Sequence, residues 1–219
     1  MKNKTKIQVA GVGGQGVVFL TNLIVEAALI SNIPVATSEI HGLSQRGGSV
    51  TASITLGENT YGFIEKAGAD FLLGLELLET QRCLNYLHKN SVVVADNFKI
   101  TPFLVNAGNA KYPDTKEFVK LLKTQIKQII VIENITGIKD ILRNMFVLGV
   151  ASQVNSFPLS AAVIRKAITN HVADYNLEAT LEAFELGRNY CTQNSSPNPS
   201  EGGEAPSLWE GWGGINSKL

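Results

Sequence analysis

Apolar, strand-like runs alternate with segments of helical period from Lys6 to Cys191, and this pattern predicts a three-layer α/β/α domain with a mixed, largely parallel sheet. Three observations carry the prediction. The chain opens β-loop-α-β, in a Rossmann-like way, around a glycine-rich turn. Further short apolar runs then recur between helical stretches. One run, Ser49 to Leu56, alternates polar and apolar residues and so departs from the continuous apolar strands of a purely parallel sheet.

Taken in order, Lys6 to Gly11 reads as a buried strand. Gly16 to Ser31 follows as a helix whose apolar face includes Val17, Leu20, Leu23, Ile24, Ala27 and Ala28. Pro34 to Glu39 restarts as a strand, and a β-loop-α-β opening implies parallel pairing with the first strand through a right-handed crossover. Ser49 to Leu56, Gly57-Glu58-Asn59 and Thr60 to Ile64 read as a hairpin. Ala69 to Leu75 is a buried strand, Leu77 to Leu87 a helix, and Ser91 to Asp96 a third buried strand. Thr115 to Thr124 is helical and Gln128 to Ile132 is another strand. Helices are then expected at Ile138 to Asn155, after Pro158-Leu159-Ser160, and at Leu177 to Tyr190. One domain is thus expected over 1–191. From Thr192 the composition turns to Ser, Pro, Asn, Gly and Glu, so 192–219 is predicted as a disordered tail, in which Trp209 and Trp212 are the residues that could dock.

The chain has 219 residues, 44% of them hydrophobic, enough to bury a sizeable core in one domain. Lys plus Arg and Asp plus Glu are balanced at 19 each, so no overall field favours nucleic acid or a membrane surface. The first apolar run, Ile7 to Val12, ends in glycines and is too short for a signal peptide core or a span, which places the protein in the cytoplasm as an expectation. Cys83 and Cys191 lie far apart without a Cys or His at ligand spacing. A disulfide, a zinc site and an iron–sulfur cluster are therefore poorly supported, and no metal site is expected in this chain.

Function is expected at two glycine loops that each follow a strand: Gly11-Val12-Gly13-Gly14-Gln15-Gly16 and Ser38-Glu39-Ile40-His41-Gly42-Leu43-Ser44-Gln45-Arg46-Gly47-Gly48. The first matches G-x-G-x-x-G, with Glu39 at the end of the next strand where an acid would meet a ribose hydroxyl. That reading gives a stand-alone dinucleotide-binding oxidoreductase, and the same glycines equally suit a sharp turn with close helix packing. Arg46 beside Gly47 and Gly48 suits a carboxylate or phosphate, or an ion pair with Glu39. Gln15 suits a ligand, or a hydrogen bond to the neighbouring loop. His41 is the one candidate for proton transfer, against a plain loop or interface histidine. His88 and His171 sit near expected helix ends, and Asn144 reads as a cap.

The Gly-Gly-Gln-Gly turn together with Ser38 to Gly48 resembles the gamma domain of the 2-oxoacid:ferredoxin oxidoreductase family, nearest its small beta subunits that serve indolepyruvate. The resemblance continues through Ala69-Asp70, Glu76, Tyr112-Pro113-Asp114, Asn144-Met145, Leu148-Gly149 and Ala183-Phe184-Glu185-Leu186-Gly187. It implies a subunit, inactive alone, of a complex that converts an arylpyruvate to aryl-acetyl-CoA and carbon dioxide while reducing ferredoxin. It further implies that thiamine diphosphate, its Mg2+ and the [4Fe-4S] clusters belong to a large alpha subunit, with CoA as cosubstrate. The residues carried into the ligand- or partner-binding set are Gly13, Gly14, Gln15, Gly16, Ser38, Glu39, His41, Gln45, Arg46, Gly47 and Gly48. A purely scaffolding role for this subunit stays open.

Overall fold

The computed structural model describes residues 4–42 and 47–194. Six strands form one sheet: β1 (Lys4–Val12), β2 (Val35–His41), β3 (Ser49–Gly57), β4 (Ala69–Gly74), β5 (Leu87–Asp96) and β6 (Gln128–Ile132). Their order is β2-β3-β1-β4-β5-β6. β1, β4, β5 and β6 pair in parallel, while β3 is antiparallel to both its neighbours. The helices are α1 (Val17–Ile30), α2 (Leu77–Arg82), α3 (Phe103–Asn106), α4 (Thr115–Gln125), α5 (Arg143–Ser152), α6 (Ala161–His171) and α7 (Asp174–Asn194). The mixed α/β/α architecture expected from the sequence is present.

Two local expectations fail, for one reason. β1 and β2 run in the same direction but do not pair, because β3 lies between them with both of its edges hydrogen-bonded. The hairpin expected between Ser49 to Leu56 and Thr60 to Ile64 is therefore absent, since no edge of β3 is left for the second run. Residues 60–64 instead cross the sheet face. The Thr55 hydroxyl donates to the Tyr61 carbonyl at 2.7 Å, and Gly62 lies on the Thr37 carbonyl with no room for a Cβ. The helix expected from Leu77 to Leu87 is also shorter. α2 stops at Arg82, a 3₁₀ turn follows at Leu84–Tyr86, and Leu87 already belongs to β5, so His88 sits in a strand rather than at a helix end.

The two faces of the sheet are covered unequally. On one face Ile7, Val9, Ile54, Phe71, Leu73 and Val94 pack under α1, α5, α6 and α7. α5 and α7 cross so closely that a Cβ at Gly149 or Gly187 would overlap the Phe184 or Phe146 carbonyl oxygen. On the other face Ala10, Leu72, Val93 and Ala95 pack under α2 and α4 with Ile64. α4 starts at Asp114, whose carboxylate accepts from the Lys116 and Glu117 amides at 2.8 and 3.3 Å. Among the described residues no helix is long and apolar enough to cross a membrane.

α7 runs on to Asn194, three residues past the boundary expected at 191. Trp209 and Trp212 lie outside the described residues.

Candidate functional site

Every parallel strand ends on the same side of the sheet, and there the turn after β1, the end of β2 and the start of β3 converge. The carboxyl ends of such strands are where open α/β sheets bind ligands. The two glycine segments meet directly: the Gly13 amide donates to the Gly48 carbonyl at 2.8 Å, and the Gly42 amide to the Ser49 carbonyl at 2.8 Å. The shared surface expected from the sequence is thus one hydrogen-bonded edge.

Within it the first loop is braced from inside. Both polar atoms of the Gln15 amide are used, Oε1 accepting from the Val12 amide at 2.7 Å and Nε2 donating to the Leu75 carbonyl at 2.7 Å. Gln15 therefore ties the end of β1 to the end of β4. Gly16 begins α1 with φ 75°, a left-handed conformation that glycine adopts freely, and a Cβ there would overlap the Asn144 amide. Asn144 donates from Nδ2 to the Gly16 carbonyl at 3.3 Å and accepts from the Met145 amide at 2.8 Å. It is not the cap of α5, a position taken by Leu142. It joins α5 to the loop 128 residues earlier.

A second brace lies behind the first. Glu76, fully buried, follows β4 and caps α2: its carboxylate accepts from the Glu79 amide at 2.8 Å and the Ile100 amide at 3.3 Å. The Tyr112 hydroxyl donates to the same carboxylate. Burial, with this bond to Glu76, pushes the Tyr112 phenol well above its ordinary range, so it stays a donor. Tyr112-Pro113-Asp114 thus serves two contacts, Tyr112 on Glu76 and Asp114 on α4. At the end of β5, Asp96 is buried and bidentate to Arg143, at 2.7 Å from Nε and 2.8 Å from Nη2. Burial pushes that carboxyl up, while the Arg143 hydrogen bonds hold it down. The Arg143 guanidinium also stacks over the Phe98 ring at 4.3 Å.

The described residues of the second loop, 38–42 and 47–48, show fewer side-chain braces. His41 and Glu39 share one face of the edge strand β2, with Nε2 and Oε2 3.3 Å apart, and the His41 side chain is 54% exposed. Ser38 points to the opposite face, against Gly62. Gly47 has φ 73° and open space around its missing Cβ, and Gly48 gives its carbonyl to Gly13. Gln45 and Arg46 lie outside the described residues. Beneath the start of β3, Glu79 is almost fully buried; Oε1 accepts from Arg82 at 2.7 Å, and among the described residues Oε2 has no hydrogen-bond partner of good geometry. Burial pushes the Glu79 carboxyl up, opposed by the Ser49 hydroxyl and Arg82.

Sequence reasoning placed the two loops together but missed Asn144 as a support of the first and the Glu76–Tyr112 pair at the end of β4. An acid between a strand and a helix, as at Glu76, is a capping signal that can be read locally. The Tyr112 and Asn144 contacts, 36 and 128 residues apart in sequence, leave no such signal.

The geometry of the dinucleotide reading is also altered. A ribose-binding acid acts from a strand next to β1, whereas insertion of β3 moves Glu39 two strand spacings away, about 10 Å. Among the described residues no three His, Cys, Asp or Glu side chains converge as a metal site. Cys83 is buried, and burial pushes its thiol up to about 12.

Comparison with known proteins gives a consistent result. Residues 6–190 match the family described as pyruvate ferredoxin/flavodoxin oxidoreductase. The chain is 32% identical over 191 residues to the indolepyruvate oxidoreductase subunit IorB of Archaeoglobus fulgidus, covering 85% of this chain and 94% of that one. It is 35% identical over 192 residues to the subunit of the same name from Thermococcus kodakarensis, covering 83% and 93%. In fold it is similar to the gamma subunit of a keto/oxoacid ferredoxin oxidoreductase from Geobacter sulfurreducens, with TM-score 0.62 and 19% identity over 86% of this chain and 99% of that one. It is also similar to 2-oxoglutarate:ferredoxin oxidoreductase from Magnetococcus marinus, with TM-score 0.63 and 16% identity, covering 91% of this chain and 33% of that longer one.

Proposed function

Since the chain belongs to the pyruvate ferredoxin/flavodoxin oxidoreductase family, we propose that it is the small subunit of an indolepyruvate-type 2-oxoacid:ferredoxin oxidoreductase. The observation that carries this reading is identity above 30% along nearly the whole length of relatives named as that subunit. The complex decarboxylates an arylpyruvate oxidatively, forming aryl-acetyl-CoA and carbon dioxide and passing two electrons to ferredoxin. Thiamine diphosphate supplies the carbanion chemistry and the clusters carry the electrons. The described residues do not fit those groups. They offer no convergent ligand set, and a buried thiol held protonated is a poor cluster ligand. We assign thiamine diphosphate, Mg2+ and [4Fe-4S] clusters to a large alpha subunit, as the family resemblance implies.

The part left to this chain is to present a shaped edge. Gly13, Gly14, Glu39, His41, Gly47 and Gly48 form that edge, with Gln45 and Arg46 between its halves in sequence and Ser38 on the other face of β2 under Gly62. Gln15 and Gly16 hold it in shape from behind. Its backbone N–H groups and small residues allow close approach by the alpha subunit or by the pantetheine and phosphates of CoA. We read His41, exposed and in contact with Glu39, as an interface or positioning group.

The test is reconstitution with the thiamine- and cluster-bearing subunit from the same organism, followed through indolepyruvate- and CoA-dependent ferredoxin reduction. Activity of the pair and silence of each chain alone is the expected result. Saturable NAD, NADP or FAD binding by the isolated chain would overturn it in favour of the dinucleotide reading.

A further inference from the structure

The second face of β2 and β3 differs from the rest of the sheet. α1 covers the first face of both strands, but among the described residues no helix is packed on their second face, which the segment 60–64 crosses. Beyond that crossing, towards the glycine loops, Ile40 is 59% exposed, and the crossing segment itself leaves Tyr61 55% and Phe63 68% exposed. These three belong to one surface. Gly62 sits on Ser38, Ile40 is the next residue of β2 on the same face, and Tyr61 and Phe63 flank Gly62. Thr51, opposite Ile40 in β3, supplies a polar floor.

We propose that this open sheet face, centred on Ile40 and Phe63, is where the larger oxidoreductase subunit docks; the inference rests on the subunit reading above. Two observations select that occupant. The strip is too small to act alone: two strands of this length present about 23 Å by about 10 Å, against about 800 Å2 that each partner contributes to a stable interface. At one end the strip is continuous with the glycine edge, through His41 and Gly42 on β2 and Gly48 and Ser49 at the start of β3. A partner that covers both the strip and this edge is the one that the subunit reading supplies. The composition also suits a protein partner, with exposed aromatic and aliphatic anchors over hydroxyl side chains and charge at the rim, where Lys4 lies 5.7 Å from the Tyr61 ring and Lys6 pairs with Glu65. The second face thus aligns the glycine edge with the partner's reactive centre.

The experiment co-expresses the full chain with the thiamine- and cluster-bearing subunit of the same organism. It compares wild type, the double variant Ile40→Asp/Phe63→Asp, and the control Leu29→Asp/Tyr175→Asp on the opposite layer, where both residues are also exposed. Each is checked by circular dichroism, and affinity for the purified large subunit is then measured. The inference predicts unchanged spectra, binding at least about tenfold weaker for the Ile40/Phe63 pair, and wild-type affinity for the control. Equal affinity of both double variants overturns it while leaving the subunit reading intact. Failure of wild type to bind overturns the subunit reading itself. A wild-type dimer in sedimentation that the Ile40/Phe63 variant abolishes, with large-subunit affinity unchanged, assigns the face to a second copy and also overturns the inference. Where the double variant fails to fold, Phe63→Ser alone decides by the same affinity measurement.

Discussion

The two glycine loops lie in contact yet are held in different ways. The first has its side chains turned inward: Gln15 spans β1 and β4, Asn144 holds Gly16, and a Cβ at Gly11 or Gly16 has nowhere to go. On the second, His41 is exposed, Gly47 faces open space, and the described ties are the Gly13–Gly48 and Gly42–Ser49 backbone bonds and the Glu39–His41 contact. Similar composition thus serves opposite ends. Gly11 and Gly16 of the first loop admit neighbouring protein, whereas Gly47 of the second, like Gly14 at the tip of the first, faces open space.

The contrast breaks most easily at a pair of glycines with the same backbone sign. Gly16→Ala adds a side chain at φ 75° and drives it into Asn144, so a loss of about 2 kcal/mol or more is expected in urea unfolding. Gly47→Ala, at φ 73° with free space, should cost only about 1 kcal/mol. Equal losses would erase the distinction between the loops. Next comes Gln15→Ala, which strands the Val12 amide and the Leu75 carbonyl in a half-buried setting and should cost about 2 kcal/mol by the same measurement.

Smaller effects probe the second-loop side. Burial raises the Glu79 carboxyl, so the folded chain holds that proton more tightly than the unfolded chain does. Stability from this group therefore falls as pH climbs from the ordinary carboxylate range through the raised value. Glu79→Gln removes the titration, and the variant should lose less thermal stability than wild type between about pH 5 and about pH 8. A larger loss in the variant would show that Arg82 outweighs burial. Smallest is Glu39→Gln, which weakens an exposed contact and should change stability by no more than about 0.5 kcal/mol.

Much of the frame was legible locally. Gln128 to Ile132 is a strand residue for residue, and α1 falls within one residue of its expected limits at both ends, because unbroken apolar runs and helical spacing act over a few residues. The place of β3 was not legible. Alternation in Ser49 to Leu56 revealed an antiparallel strand, but which neighbours it would take depends on pairings between segments distant in sequence. The supports of the site were hidden in the same way. Glu76, Tyr112 and Asn144 stood out as parts of a family resemblance before the fold brought Tyr112 to Glu76 and Asn144 to Gly16, and the unpaired face beside Ile40 and Phe63 follows only once β3 fills the gap between β1 and β2.

Hydrogen–deuterium exchange, comparing the isolated chain with its complex with the large subunit, tests the central claim most directly. New protection at 35–42 and 47–51, with little change in α1, α6 and α7, is the predicted result, since the open side is the one presented to the partner. Protection confined to the α1, α6 and α7 layer, with β2 and the start of β3 exchanging as before, would contradict it.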